Sequence, residues 1–94
     1  MDELVRLSAH EAVDKLRNGE VSPLEMIDAA EARIAATDGT LNALPTLCFE
    51  RARERAQRLM TDPPGDPAPH YLHGLPIAVK DLTEVEGVRT THGS

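Results

Sequence analysis

The chain has 94 residues and a formal net charge of −6, with 16 acidic side chains against 10 basic ones. An acidic chain repels nucleic acid and anionic membrane surfaces, so neither is expected as a partner. Phe49 and Tyr71 are its only large aromatic residues and tryptophan is absent. Small aliphatic side chains must therefore fill the interior, and we expect part of a larger domain rather than a self-sufficient fold.

Neither the first residues nor the single cysteine suggests export. Residues 1–4 are acidic and lack the positive region and apolar core of a signal peptide. No apolar run approaches the length of a membrane span, so the cytosol is the expected location. Cys48 has no partner for an internal disulfide. Its neighbours Leu47 and Phe49 predict a buried, unreactive thiol.

A capping box predicts the first helix. Ser8 can accept from the backbone N–H of Glu11, and the Glu11 carboxylate can reach back to Ser8. Gly19 predicts the end of the helix, because glycine adopts the left-handed conformation without a Cβ penalty. Apolar residues at helical spacing form one face of this helix: Ala9, Ala12, Val13 and Leu16.

A second capping box, from Ser22 to Glu25, predicts the second helix and places a proline at its first position. Val21 and Met26 stand at the positions of a hydrophobic staple. Asp38 and Gly39 predict its end. Capping explains both Ser8 and Ser22 fully, so neither is a candidate nucleophile.

The middle of the chain predicts a short strand, a third helix and a loop. Residues 42–47 form the strand, at an edge or irregular position because of Pro45. The helix continues to about Met60, and its arginines, interleaved with Glu50 and Glu54, indicate a solvated face with local ion pairs. Proline, glycine and aspartate between residues 61 and 70 predict a surface loop.

Residues 75–79 (LPIAV) form a continuous apolar run that ends in Lys80 and Asp81. Continuous apolarity is typical of a strand covered on both faces, as in the central sheet of an α/β protein. The predicted fold class is therefore α/β, with a mixed sheet covered by helices. The chain would hold its N-terminal helices and first one or two strands.

Lys80 is the strongest candidate for chemistry. At the end of a buried strand a lysine can be partly desolvated, which lowers its pKa and permits general-base catalysis. The alternative is that Lys80 extends to solvent and pairs with a surface carboxylate. The pattern by itself favours this second interpretation.

Two motifs add a family resemblance. Residues 72–81 (LHGLPIAVKD) resemble the lysine motif of the amidase signature family, roughly L-x-G-[VI]-P-[VIF]-x-[VIL]-K-D. Residues 87–94 (GVRTTHGS) are similar to its G-x-x-T-T-x-G-S motif. The preceding order of two capped helices, Asn42 and Ala43, an alanine- and arginine-rich helix and a variable loop also resembles the family. The likeness covers nearly the whole chain.

The resemblance implies an amidase-signature fold and cleavage of a carboxamide or related C–N bond by a Ser–cis-Ser–Lys triad, through an acyl-enzyme. Lys80 would be the catalytic lysine, and no cofactor or metal is implied. Residues 1–94 would form the N-terminal part of one amidase domain: a helical segment at 1–61, a surface loop at 62–70, and the lysine-bearing strand and loop at 71–94.

The family's serine-rich signature lies downstream of these residues, so we expect the 94 residues to be inactive alone. The remainder of the amidase chain and a small-molecule amide are then the expected partners, and a homodimer is a further possibility.

The sequence departs from the family motif in two ways. His92 replaces a small residue, and Ser94 matches a supporting serine rather than a nucleophile. Two rivals remain, a non-catalytic N-terminal helical module or small subunit used for dimer or partner contacts, and an inactive truncated amidase.

Other candidate residues are weaker. His70 and His73 have a spacing compatible with metal ligation, but they flank a loop-to-strand junction and lack a cysteine or clear carboxylate partner. We interpret them as turn or surface histidines. Asp81 either orients Lys80 or satisfies amides of a turn.

Overall fold

A computed structural model describes residues 2–41, 44, 47–79, 86 and 88. Four helices follow in chain order: α1 (Asp2–Val5), α2 (Ala9–Arg17), α3 (Pro23–Leu41) and α4 (Phe49–Thr61). α1 packs against α3, and α3 packs against α4. The described part of the chain is therefore a small helical unit built around α3.

The predicted capping box begins α2. The Ser8 N–H donates to Glu11 Oε1 at 3.0 Å, and the Glu11 N–H donates to Ser8 Oγ at 3.1 Å. The helix ends at Arg17, and Gly19 just beyond it has a φ of +76°. There the Gly19 N–H donates to the Leu16 carbonyl and the Glu20 N–H to the Lys15 carbonyl, the two bonds of a Schellman motif. Both predicted ends of this helix are confirmed.

The second box begins α3, with reciprocal bonds of 3.1 Å between Ser22 and Glu25. The predicted end at Asp38 and Gly39 is wrong, because the helix continues to Leu41. Gly39 has no positive φ, so it does not end the helix. The Asp38 carboxylate instead accepts from the Leu44 N–H at 3.3 Å, which satisfies a backbone donor beyond the helix.

A hydrophobic cluster joins α2 and α3 and contains no aromatic side chain. Its buried residues are Ala12, Leu16 and Met26. Partly buried apolar side chains pack around them: Leu4, Leu7, Val21 and Leu75. Val21 and Met26 thus share one cluster, as the predicted staple requires.

α4 also packs against α3, and Ala56 of α4 is 3% exposed. Arg53 of α4 donates to Asp28 Oδ1 at 3.0 Å and to Glu31 Oε1 at 2.5 Å, both on α3. The hydrogen bond to Glu31, and next that to Asp28, raises the pKa of Arg53. The prediction of ion pairs local to α4 is therefore wrong for Arg53, because its carboxylate partners lie on α3.

Neither predicted strand is seen among the described residues. Residues 75–79 have no strand pairing, although Val88 forms an isolated bridge. Of residues 42–47, Asn42, Ala43, Pro45 and Thr46 lie outside the described residues. A strand requires a hydrogen-bonded neighbour, and the described residues supply none to residues 75–79. The sheet therefore stays a prediction.

Cys48 is exposed, so the prediction of a buried thiol is wrong. It stands at the N-cap of α4, where its side chain makes no capping bond. A position at the exposed start of a helix keeps the sulfur away from the interior.

Within the part of the chain that the structure describes, no helix is long and apolar enough to cross a membrane.

We predict that Arg53→Met lowers the melting temperature by several degrees, because it removes both bonds between α4 and α3. The difference from wild type should shrink in high salt, which screens exposed ion pairs. Arg58→Met is the matched control, since the Arg58 side chain on the same helix has no ion pair among the described residues. Equal melting temperatures for the two variants would contradict the role of Arg53.

The first capping box also predicts a dependence of stability on pH. Hydrogen bonds from the Ser8 backbone and then its side chain lower the pKa of Glu11. A carboxyl whose folded pKa is depressed stabilises the fold above its unfolded pKa, and this contribution is lost as pH falls through the folded value. Glu11→Gln should therefore flatten the decline in melting temperature below about pH 4.5. An unchanged slope would refute this linkage.

Candidate functional site

The candidate lysine lies at the end of a segment that the structure describes up to Val79. Lys80 and Asp81 themselves lie outside the described residues. The second motif also lies outside them, His92 and Ser94 included, except for Val88. The described surroundings of the site are therefore the chain that leads to Lys80 and the turn at Glu86.

A tight turn opens the lysine motif. The Leu75 N–H donates to the Leu72 carbonyl at 3.2 Å. The two central residues have positive φ, +54° at His73 and +91° at Gly74, as in a type I′ turn. Histidine is among the few residues with a side chain that tolerate this region, and glycine adopts it freely. The glycine of the L-x-G part of the motif is thus explained by the left-handed backbone that the turn requires at this position.

Gly74 is also needed because the turn packs tightly on the start of α3. A Cβ built on Gly74 would lie 2.7 Å from Pro23 Cγ and 2.9 Å from Pro23 Cβ. Pro23 is the first residue of α3, and its ring also contacts the turn at Gly74 that opens the lysine motif. From the sequence, Pro23 was only a helix-start signal, because no local pattern connects residue 23 with residue 74.

Leu75 fixes the segment to the helical core, since it packs against the cluster of Ala12, Leu16 and Met26. Beyond it the chain becomes exposed: Ile77 is 70% and Val79 50% accessible. The predicted burial of residues 75–79 on both faces is thus not present within the described structure. The segment starts in the core and then presents apolar side chains outward.

A contact from α4 reaches the chain beyond Lys80. The Arg51 guanidinium donates through Nη1 to the backbone carbonyl of Glu86. A bond with a charged donor is stronger than one between neutral groups. The helical unit therefore contacts the chain on both sides of the candidate lysine, at Leu75 before it and at Glu86 after it.

The histidines near the motif do not assemble a metal site in the described structure. His70 is exposed, and His73 packs edge-on against Tyr71 with ring centroids 4.8 Å apart. Among the described residues, no group of three or more His, Cys, Asp or Glu could hold a metal ion. Two open grooves of about 460 and 190 Å³ flank Tyr71, but neither is lined by residues 74–79.

We predict that Gly74→Ala destabilises the protein by about 2–4 kcal/mol. Alanine is strained in the left-handed conformation at this position, and its Cβ would clash with Pro23. Chemical denaturation would measure this loss. Gly39→Ala is the matched control, because nothing lies within 4 Å of a Cβ at this helical position. The control should stabilise by about 1 kcal/mol. A similar effect of both substitutions would contradict the close packing at Gly74.

Comparison with known proteins gives consistent matches. The family model described as Amidase matches residues 25–94. A glutamyl-tRNA(Gln) amidotransferase subunit from Renibacterium salmoninarum is 42% identical over the whole chain, and its counterpart from Anaeromyxobacter dehalogenans is 40% identical over 98% of it. An amidase of Pseudomonas putida is 36% identical over the whole chain. No solved structure matches.

The matched region is only a part of each relative. The chain spans 18%, 19% and 20% of the lengths of these three proteins. The family match begins within α3 and continues through both motifs to residue 94. On this match over most of its length, the chain belongs to the amidase family.

Proposed function

We propose that the protein is an amidase that hydrolyses a carboxamide or related C–N bond, with Lys80 as its catalytic lysine. The observation that carries the proposal is the family match over residues 25–94, which includes the whole lysine motif. The names of the relatives agree with it, since one is an amidase and others are amidotransferase subunits. Family membership favours the amidase-signature α/β fold for the complete domain.

The proposed chemistry uses a Ser–cis-Ser–Lys triad. The neutral amine of Lys80 takes a proton from a bridging serine, which activates the nucleophilic serine. That serine attacks the amide carbonyl, the C–N bond breaks, and ammonia or an amine leaves. Water then attacks the acyl-enzyme and releases the carboxylic acid. The residues 1–94 supply only the lysine, and the remainder of the amidase chain supplies both serines.

The packing before Lys80 supports this role. A base must be held within a fraction of an ångström of its partner. The turn at Gly74 packs against Pro23 and Leu75 enters the core, so the lysine motif begins from a fixed point. The exposed apolar side chains of Ile77 and Val79 suit burial by further parts of the amidase chain, which would also exclude water from the amine.

We propose the same division of the chain as the motifs suggest, with a helical segment at 1–61, a loop at 62–70 and the lysine-bearing segment at 71–94. The protein would act in the cytosol on a small-molecule amide without a cofactor. Contacts with a second copy of the protein would involve the helical segment.

A second candidate function is a role within an amidotransferase, because two of the relatives described above carry that name. Ammonia released by the same amide cleavage would then pass to a second substrate on a partner protein. Both functions share the triad and the role of Lys80. Assays of ammonia release with and without a candidate acceptor and partner would separate them.

Replacing Lys80 tests the shared step. In the whole protein as it is expressed, Lys80→Ala should lower kcat for an amide substrate by at least about a thousandfold, as for loss of a triad member. The melting temperature should stay within a few degrees of wild type. Retained turnover in Lys80→Ala would refute the assignment.

Lys15→Ala is the matched control, because Lys15 is the other lysine of the chain. Lys15 is partly exposed near the end of α2 and pairs with Glu20 at 3.3 Å. Its replacement should leave kcat unchanged. Residues 1–94 expressed alone should not cleave the amide, and turnover by that fragment would show that the proposed division of the triad is wrong.

A further inference from the structure

We propose that the larger groove beside Tyr71 is a docking site for an acidic segment of a partner protein. The groove has a volume of about 460 Å³ and lies between the second half of α4 and the chain that follows it. We call it the arginine groove, and its lining includes Arg55, Arg58, Leu59, Asp62, Pro64 and Tyr71. The proposal does not depend on the amidase reaction, because none of these residues belongs to either motif.

The charge of the arginine groove indicates an acidic ligand. α4 carries four of the ten basic residues of a chain whose net charge is −6. Arg53 is paired with α3, whereas Arg55 and Arg58 are exposed and make no ion pair or side-chain hydrogen bond among the described residues. A guanidinium group can bind a carboxylate through two parallel hydrogen bonds. Both arginines are therefore available to carboxylates from outside the described chain.

The apolar part of the arginine groove is held in place before any ligand binds. The Tyr71 N–H donates to the Ala68 carbonyl at 2.9 Å, and the Tyr71 ring packs edge-on against His73. Leu59 Cδ1 lies 3.7 Å from the position of a Cβ on Gly74, so the turn packs beside it. A site that is formed in advance costs less entropy to occupy. Tyrosine and arginine are also enriched among the residues that dominate binding at protein interfaces.

The spacing of the two arginines fits an extended segment. Residues three apart on a helix have Cβ atoms about 5–6 Å apart. Every second side chain of an extended chain lies on the same face, about 7 Å from the next. Carboxylates at alternate positions would thus face Arg55 and Arg58. Apolar residues between them would face Pro64 and Tyr71, which line the groove from the chain beyond the helix.

The test uses the whole protein as it is expressed and a fluorescent peptide in which glutamate alternates with leucine. Fluorescence anisotropy should show binding that weakens as salt is added. Arg55→Gln and Arg58→Gln should each weaken binding about threefold, and the double variant about tenfold. Arg33→Gln is the matched control, because this exposed arginine of α3 does not line the arginine groove. Asp62→Asn should tighten binding, because it removes a carboxylate that repels the peptide.

Equal affinities of the double variant and of Arg33→Gln would overturn the proposal, as would equal binding of a peptide with glutamine in place of glutamate. Failure of wild type to bind the acidic peptide would overturn it too, and would indicate that the remainder of the chain covers the groove. Self-association without peptide that the double variant abolishes would identify a second copy as the occupant instead. The variants should melt within a few degrees of wild type, so that lost binding reports on the groove and not on unfolding.

Discussion

The close approach of Gly74 to Pro23 is the constraint on which the arrangement of this chain depends. No side chain fits between the turn at residues 72–75 and the first residue of α3, and the backbone at Gly74 is left-handed. Because α3 also carries the core residue Met26, the turn brings Leu75 into the same cluster. One contact thus joins the lysine motif to the helices that precede it in sequence.

The helices form a support whose two sides have different chemistry. Between α2 and α3 the contacts are apolar and come from small aliphatic side chains, which suits a chain with so few aromatic residues. Between α3 and α4 the contacts include the ion pairs of Arg53 with Asp28 and Glu31. These ion pairs help to fix how α4 lies on α3. Arg51, on the same helix, contacts the backbone oxygen of Glu86.

The exposed residues are as informative as the core. Ile77 and Val79 follow the anchored Leu75 and expose much of their apolar surface. In the family to which the chain belongs, the matched relatives are about five times as long as this chain. An apolar segment next to the lysine is the surface on which we propose that the remainder of an amidase packs. Such packing would complete a triad and remove water from the amine at once.

Local sequence was enough to establish the starts of α2 and α3, the end of α2 and the motif that points to the family. Capping boxes and the glycine stop involve residues a few positions apart, so Ser8, Glu11 and Gly19 could be interpreted from local chemistry. Local rules failed at Gly39, which lies within a continuing helix, and at Cys48, whose apolar neighbours did not bury it. Tertiary packing alone established that Gly74 meets Pro23, that Arg53 pairs with α3 and that Arg51 reaches Glu86. These pairs are far apart in sequence, and no periodic pattern encodes which distant residues meet when the helices pack.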